Sequence, residues 1–328
     1  MIEGFMKMSR AWLIAALLAA GATRPAAALP LTSDLLTNFN AIVTNFSSQS
    51  DTVGAVMIGG NLSGPSTTFD TQGYQPTASS LSGYGGVNIY GNASGGPYNV
   101  NNLTVHVGGS QNATFSGASK VTSNYAFPYS YSSIAGQLTQ VSSALSKMET
   151  TGSSGLAIIS QNSSIFTAQP VNGVAVINIT AAQLEQVSNP TFDLNGAKLL
   201  VVNVDGNFST GSGNFNDSNY ASDILWNFYD ATSLNFGVEF GGTVLAPNAT
   251  VSSSSPIDGT LFAASFQGNG ELHFKTLTDA SYLNSVGSVP EASTWTMLLL
   301  GFAGLGLASC RRIKSERRSG VDAKAQFG

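Results

Sequence analysis

Five acidic residues, Asp217, Asp223, Asp230, Glu239 and Glu271, fall close together in the later part of the chain. Paired carboxylates at a suitable separation are what glycoside cleavage needs, one as acid and one as base or nucleophile. Sequence sets no two of these at such a separation. A glycan-processing enzyme, lyase or hydrolase, is therefore the alternative reading, and no catalytic residue is assigned. The chain has two histidines, His106 and His273, and a Ser/His/Asp triad would need one of them. His106 lies in Leu103-Thr104-Val105-His106-Val107, where alternation turns it away from Val105 and Val107. His273 lies in Gly270-Glu271-Leu272-His273-Phe274. Both read as structural strand residues, exposed or hydrogen bonded. Cys310 is the one cysteine, so no intramolecular disulfide forms, and no His or Cys spacing fits a metal site.

Two oxygen-rich segments, Asn203-Val204-Asp205-Gly206-Asn207 and Asn214-Phe215-Asn216-Asp217-Ser218-Asn219, offer hard ligands of the kind Ca²⁺ takes. Neither matches the EF-hand loop or the repeating calcium-binding nonapeptide, and Asn/Asp-rich turns occur far more often without metal, so the expectation is no cofactor, with Ca²⁺ as the alternative. Asn-x-Ser/Thr triplets at Asn61, Asn92, Asn102, Asn112, Asn178 and Asn248 read as turn composition. Tyr84, Tyr90, Tyr98, Tyr125, Tyr129 and Tyr131 are able to stack on sugars, but strand positions are the simpler reading.

Whatever the chemistry, β structure must position it. Charged residues make up 9% of the chain and hydrophobic ones 42%, too apolar for a disordered chain. Abundant β-branched residues with frequent Gly and Asn turns favour an all-β fold. Between Leu29 and Ser288 four lysines face fourteen acids, a net charge of −10. That surface repels nucleic acid, which is excluded as a partner.

Gly242-Thr243-Val244-Leu245-Ala246-Pro247 nearly repeats as Gly259-Thr260-Leu261-Phe262-Ala263-Ala264. Each unit is a short apolar run opened by glycine and closed by turn residues, as neighbouring coils of a stacked β structure would be. Ile58-Gly59-Gly60-Asn61, Ile89-Tyr90-Gly91-Asn92 and Val204-Asp205-Gly206-Asn207 end apolar strands on residues that suit a sharp corner. Their uneven spacing predicts a solenoid with irregular coils and inserts. The expected fold is mainly β: a right-handed β-helix or solenoid with one or two packed helices, with a β-sandwich as the alternative. Apolar spacing predicts a helix over Tyr131 to Thr151, on Ile134, Leu138, Val141, Leu145 and Met148, and a shorter one over Thr180 to Val187 capped by Thr180. A third, capped by Ser33, would carry Leu35, Leu36, Phe39, Ile42 and Val43.

Leu225-Trp226-Asn227-Phe228, Gly242 to Ala249 and Gly270-Glu271-Leu272-His273 resemble, in that order, the C-terminal signature of the choice-of-anchor A proteins. Asp51 to Gly60 is similar to that family's opening glycine-rich strand. The resemblance marks Gly59, Gly60, Trp226, Asn227, Gly242, Leu245, Ala246, Pro247, Asn248, Gly270, Glu271 and His273 as signature residues, and implies an adhesin-like surface protein with no known reaction.

The ends read as targeting segments. Residues 1–28 form a secretory signal, with Lys7 and Arg10 before an apolar run and small residues Ala26 to Ala28 for signal peptidase. A body over 29–285 is followed by a tail over 286–328. There Val289-Pro290-Glu291, an apolar span over 292–309 and a basic cluster from Cys310 to Arg318, including Arg311 and Arg312, resemble a PEP-CTERM sorting tail. The span is long enough for a transmembrane helix. The resemblance implies an exosortase as processing partner, with removal near Pro290-Glu291. The function expected is an exported surface or matrix protein bound to exopolysaccharide, a cell-surface glycan or a biofilm, with transient or retained inner-membrane anchoring.

Overall fold

Gly242 has φ +122°, and a Cβ built on it would lie 2.7 Å from the Trp226 ring. Only glycine takes this turn without strain. The turn starts the Thr243–Ser253 strand, whose Val244, Leu245 and Ala246 pair in parallel with Leu261, Phe262 and Ala263. The two near-repeats are therefore consecutive coils.

The computed structural model describes residues 28–210, 215 and 218–286. All but Ala28 of the expected signal segment over 1–28, and with it the expected signal helix, the Pro-Glu motif, the apolar span expected as a transmembrane helix and the basic cluster lie outside the described residues. Among the described residues no helix is long and apolar enough to cross a membrane.

A twelve-stranded sheet dominates the body. Its main path runs Val174–Thr180, Leu199–Asp205, Ile224–Asn227, Thr243–Ser253, Leu261–Gly268, Ala41–Ser48, Val56–Ile58, Val87–Ile89, Thr104–Val107, Lys120–Thr122. The pairings along it are parallel. Two three-stranded parallel sheets run Thr68–Phe69, Tyr98–Val100, Phe115–Ser116 and Phe240–Gly241, Ile257–Asp258, Leu272–His273. Coil stacked on coil with parallel pairing is the arrangement of a β-solenoid and not of an antiparallel sandwich. A fourth sheet, Gly155–Ser160, Ser163–Thr167 and Pro190–Asp193, contains an antiparallel hairpin.

The order of coils is not the order of sequence. Ala41–Ser48 is inserted beside Leu261–Gly268, so the first strand of the body lies in the middle of the stack. From there the chain builds outward to Lys120–Thr122, resumes at the opposite end with Val174–Thr180 and returns to the middle. The first and last turns of the body meet there: Ser33 N donates to Asn284 Oδ1 at 2.9 Å, and Asn284 Nδ2 donates to Ser33 Oγ at 2.9 Å.

One apolar cluster fills the solenoid and includes Phe46, Phe69, Tyr98, Trp226, Phe236, Phe240 and Phe266. A second lies on the other face of the main sheet and takes in residues of two helices and of the short turns at Ser79–Leu81 and Ser281–Asn284. Helix α1 (Thr32–Asn38) buries Leu35 and Leu36, and α2 (Tyr131–Leu145) buries Ile134, Leu138, Val141 and Leu145. Helix α3 (Ala181–Leu184) is capped by Thr180, as the sequence implied, in a capping box with Gln183, but it stops at Leu184, short of Val187. The α2 helix stops at Leu145, short of Thr151, and Met148 packs from the loop beyond it.

The first helix needs a larger correction. Leu31 is its N-cap residue, and Ser33 sits in its first turn. It ends at Asn38, and Ile42 and Val43 belong to the Ala41–Ser48 strand. Their β-branched side chains fit a pleated sheet better than a helix.

At the predicted Gly-Asn corners the asparagines bridge coils. Asn61 Oδ1 accepts from Asn92 N at 2.8 Å, and Asn92 Oδ1 accepts from Ser110 N at 2.9 Å. Asn207 Oδ1 accepts from Thr232 N and Ser233 N at 2.8 and 3.0 Å. A Cβ on Gly109 would lie 2.2 Å from Asn92 Oδ1, so this close approach requires glycine.

Candidate functional site

The pairing of Thr243–Ser253 with Leu261–Gly268 shifts register between Ala246 and Thr250, so the strand bends onto a second face. Residues 250–253 continue there beside Ser233–Phe236 and Phe208–Ser209 on one side, and residues 265–268 and 45–48 on the other. Alternation sends Phe208, Leu234, Val251, Phe266 and Phe46 into the core. The outward positions form two registered rows. One is Ser233, Thr250, Ser265 and Asn45; the other is Ser209, Asn235, Ser252, Gln267 and Ser47. Neighbours in such a row are about 4.8 Å apart, and the rows about 7 Å. Asn235 Nδ2 donates to Ser209 Oγ at 3.3 Å and Gln267 Nε2 to Ser252 Oγ at 3.1 Å, which orders the rows laterally. Neither row contains a charge, so the face offers regular hydroxyls and amides to a partner.

A charged group occupies another corner. Ile257 and Asp258 pair with Leu272 and His273 on the next coil. Asp258 is wholly buried. Its Oδ1 lies 2.6 Å from His273 Nδ1, and its Oδ2 accepts from Lys275 Nζ at 2.6 Å. Glu271 Oε2 lies 3.0 Å from His273 Nε2. A buried carboxylate needs such partners to offset its lost hydration. Burial works against a charged His273 ring, but the hydrogen bonds from Glu271 and Asp258 outweigh it and raise its pKa above 6.5. The ring is thereby biased to the imidazolium form.

The other candidates are placed differently. His106 turns away from Val105 and Val107, as alternation implied, but it is covered and not exposed. Its ring stacks on Tyr125 at 3.8 Å between centroids, and its Nδ1 is buried without a hydrogen-bond partner. Burial, then the charge of Lys120, lowers its pKa. Asp230 is brought beside Asp205; a shared hydrogen bond, then mutual repulsion, raises the pKa of Asp205 on the open surface. Asp230 Oδ1 also accepts from Gly206 N at 3.0 Å. Burial alone raises the pKa of Asp223. Asp217 lies outside the described residues.

Of the first oxygen-rich segment, Asn203 turns inward, donating to Leu145 O and Asn178 Oδ1 at 2.8 Å each. Asn207 serves its corner. Among the described residues no group of three His, Cys, Asp or Glu side chains is placed to hold a metal ion. Asn178 and Asn248 lie in strands and not in turns.

The signature residues build coils. Trp226 is wholly buried, donating from Nε1 to Gly241 O at 2.8 Å. Asn227 is equally buried; its Nδ2 donates to Ser142 O and Asn203 Oδ1, and its Oδ1 accepts from Ser142 Oγ at 2.6 Å. Asn178, Asn203 and Asn227 thus form a ladder that ties α2 to the sheet. Leu245 and Ala246 are core residues, while Pro247 and Asn248 lie at the bend. Gly270 passes beneath Ser255 O, and Gly59 and Gly60 pass beneath the Tyr131 ring and Thr44 O. Glu271 and His273 alone reach the charged corner. Ala28 is exposed at the start of the body, and Ala26, Val289, Pro290, Glu291, Arg311 and Arg312 lie outside the described residues.

Of the six tyrosines, Tyr98 is in the interior, and Tyr84, Tyr90, Tyr125 and Tyr131 join a panel with Phe127 over the main sheet. They pack around Phe127, and of the six only Tyr98 lies in a strand, so the expected strand positions hold for that residue alone. Sequence reasoning missed Asp258 and the polar rows. Continuing the coil from Ile257-Asp258 to Leu272-His273 is the signal that would have exposed the first.

Comparison with known families matches residues 32–274 to a putative ice-binding-like adhesive domain and residues 288–312 to the PEP-CTERM protein-sorting motif. A search of curated proteins gave no match. Among solved structures the chain matches an ice-binding protein from the Antarctic ascomycete Antarctomyces psychrotrophicus. The identity is 14%, over 77% of this chain and 99% of that one, with a TM-score of 0.24, too low to weigh in the fold assignment. The sorting motif implies export and processing by an exosortase. An adhesive domain joined to that motif indicates an exported cell-surface protein, and the chain belongs to the putative ice-binding-like adhesive domain family.

Proposed function

We propose that this protein is a matrix adhesin of the choice-of-anchor A kind, holding exopolysaccharide or a cell-surface glycan within a biofilm. The observation that carries the reading is the pair of registered, uncharged rows across Asn45, Ser47, Ser209, Ser233, Asn235, Thr250, Ser252, Ser265 and Gln267. Each hydroxyl or amide contributes one weak contact, and repetition along a polymer turns weak contacts into avidity. The reading needs no cofactor and no catalytic step. Signal peptidase would release the chain at Ala28, and an exosortase would remove the tail near Pro290-Glu291, after transient or retained anchoring by the 292–309 span. The body over 29–285 would wind right-handed, the usual sense for parallel crossovers.

The test mixes the full chain with exopolysaccharide and follows co-sedimentation and new reducing or unsaturated ends in one tube. Co-sedimentation without new ends supports adhesion; new ends would make the protein a glycan-processing enzyme. A second reading follows from the regularity of the same rows, which also suits an ice lattice. Inhibition of ice recrystallisation without polysaccharide binding would favour it over the first.

A further inference from the structure

Tyr74 is the most exposed aromatic ring of the body, with 41% of its surface open. Its position is fixed from below. Asp70 Oδ1 accepts from Tyr74 N at 2.7 Å, and Gly73 closes the turn with φ +78°. The Tyr74 ring lies 4.7 Å from the Phe274 ring, tilted by 43°. Phe274 in turn lies over Gly54, where a Cβ would meet the ring at 2.4 Å. Phe274 rests on the bare Gly54 backbone and Tyr74 on Phe274, so the two rings make an apolar platform that is partly open to water.

The charged corner adjoins this platform. Phe274 stands between His273 and Lys275 in a tight turn closed by Lys275 N donating to His273 O at 3.0 Å. Side chains of His273, Glu271 and Lys275 are 33%, 50% and 43% exposed. Their contacts with one another and with Asp258 hold them in place but leave capacity for more: Glu271 engages only Oε2, and Lys275 uses one of three donors. Gln72 reaches the Tyr74 hydroxyl at 3.3 Å and adds an amide to the rim.

An aromatic platform beside fixed carboxylate, ammonium and amide groups matches one ligand chemistry. The apolar C–H face of a pyranose ring packs on an aromatic face, while adjacent hydroxyls bond a carboxylate and an ammonium together. The two acids, Asp258 and Glu271, face Lys275 and the His273 ring, so the corner carries no net positive charge and favours a neutral sugar over an anionic one. We propose that Tyr74, Phe274, Glu271 and Lys275 form a subsite for a neutral pyranose. The proposal rests on the glycan-binding reading above and adds a specific sugar contact to the repetitive one.

The experiment measures binding of maltohexaose, cellohexaose and a galactan hexamer to the full chain in detergent by saturation-transfer NMR. At least one hexamer binds. Tyr74→Ala and Glu271→Gln each weaken it about tenfold, and Tyr74→Trp leaves it unchanged. Tyr74 is exposed, so its variants keep the wild-type melting temperature. Binding of none of the three hexamers, or undiminished binding by Tyr74→Ala, overturns the subsite. If Tyr74→Ala binds like wild type while charge placed on the polar rows abolishes co-sedimentation with exopolysaccharide, the subsite alone is wrong. If hexamer binding depends on Tyr74 but the polymer is not held, the adhesin reading is wrong.

Discussion

Asp70 is completely buried at φ +53°, and its Oδ2 has no hydrogen-bond partner among the described residues. Burial pushes its pKa from 3.8 up to about 7, against hydrogen bonds from Tyr74 and Gly73 that lower it. The unfolded chain then releases this proton near 3.8 and the folded chain near 7, so stability falls as pH rises through that window and levels off above it. Asparagine suits the same left-handed backbone and keeps an acceptor for Tyr74 N. Asp70→Asn should remove the loss, gaining about 2–4 kcal/mol over wild type between pH 4 and pH 8 in urea titrations. Equal pH slopes in the two proteins would contradict this. The pKa of His273 is raised as well, so its contribution has the same sign with pH. Its raised pKa contributes stability that is present below 6.5 and is lost as pH rises through the folded value. His273→Gln should therefore cost stability at pH 5.5 and little at pH 9, read from thermal unfolding at both. His273 was marked by sequence, though not its buried partner Asp258; Asp70 was not singled out, because only the neighbouring coil, with Gly86 against its Oδ2, shows what covers it.

At the scale of elements, the Asn178–Asn203–Asn227 ladder is the joint between sheet and helix. Asn227→Ala would leave Ser142 Oγ and Asn203 Oδ1 buried without their partner, at a cost of about 2–4 kcal/mol, seen as a lowered urea midpoint. Gly242→Ala would force a Cβ against the Trp226 ring at φ +122°, costing about 2–3 kcal/mol in the same measurement. Much at this scale was legible. The strand units at Gly242 and Gly259, the Thr180 cap and the stripe from Ile134 to Leu145 all follow local rules of turn, cap and period. The misassigned helix through Ile42 and Val43 shows where local rules fail. A pattern of apolar residues fits helix and strand alike over so short a run. The choice was made by Leu261–Gly268, a strand over two hundred residues away that pairs with Ala41–Ser48.

At the scale of the molecule, that same pairing makes one solenoid of a body whose first and last turns, at Ser33 and Asn284, meet beside the middle of the stack. Sequence spacing revealed coils but not their order, because no local signal reports that the first strand is inserted beside the last. The outer rows were hidden for the same reason: Asn45, Ser265, Thr250 and Ser233 become neighbours only once the coils are stacked. The central claim is that these rows carry adhesion. It is tested most directly by co-sedimentation of the full chain with exopolysaccharide, comparing wild type with an Asn235→Glu, Gln267→Glu double variant. Both positions are exposed, so the fold is retained. Wild type should sediment with the polymer and release no new ends, and the variant should bind about tenfold more weakly. Equal binding by the two proteins would contradict the account.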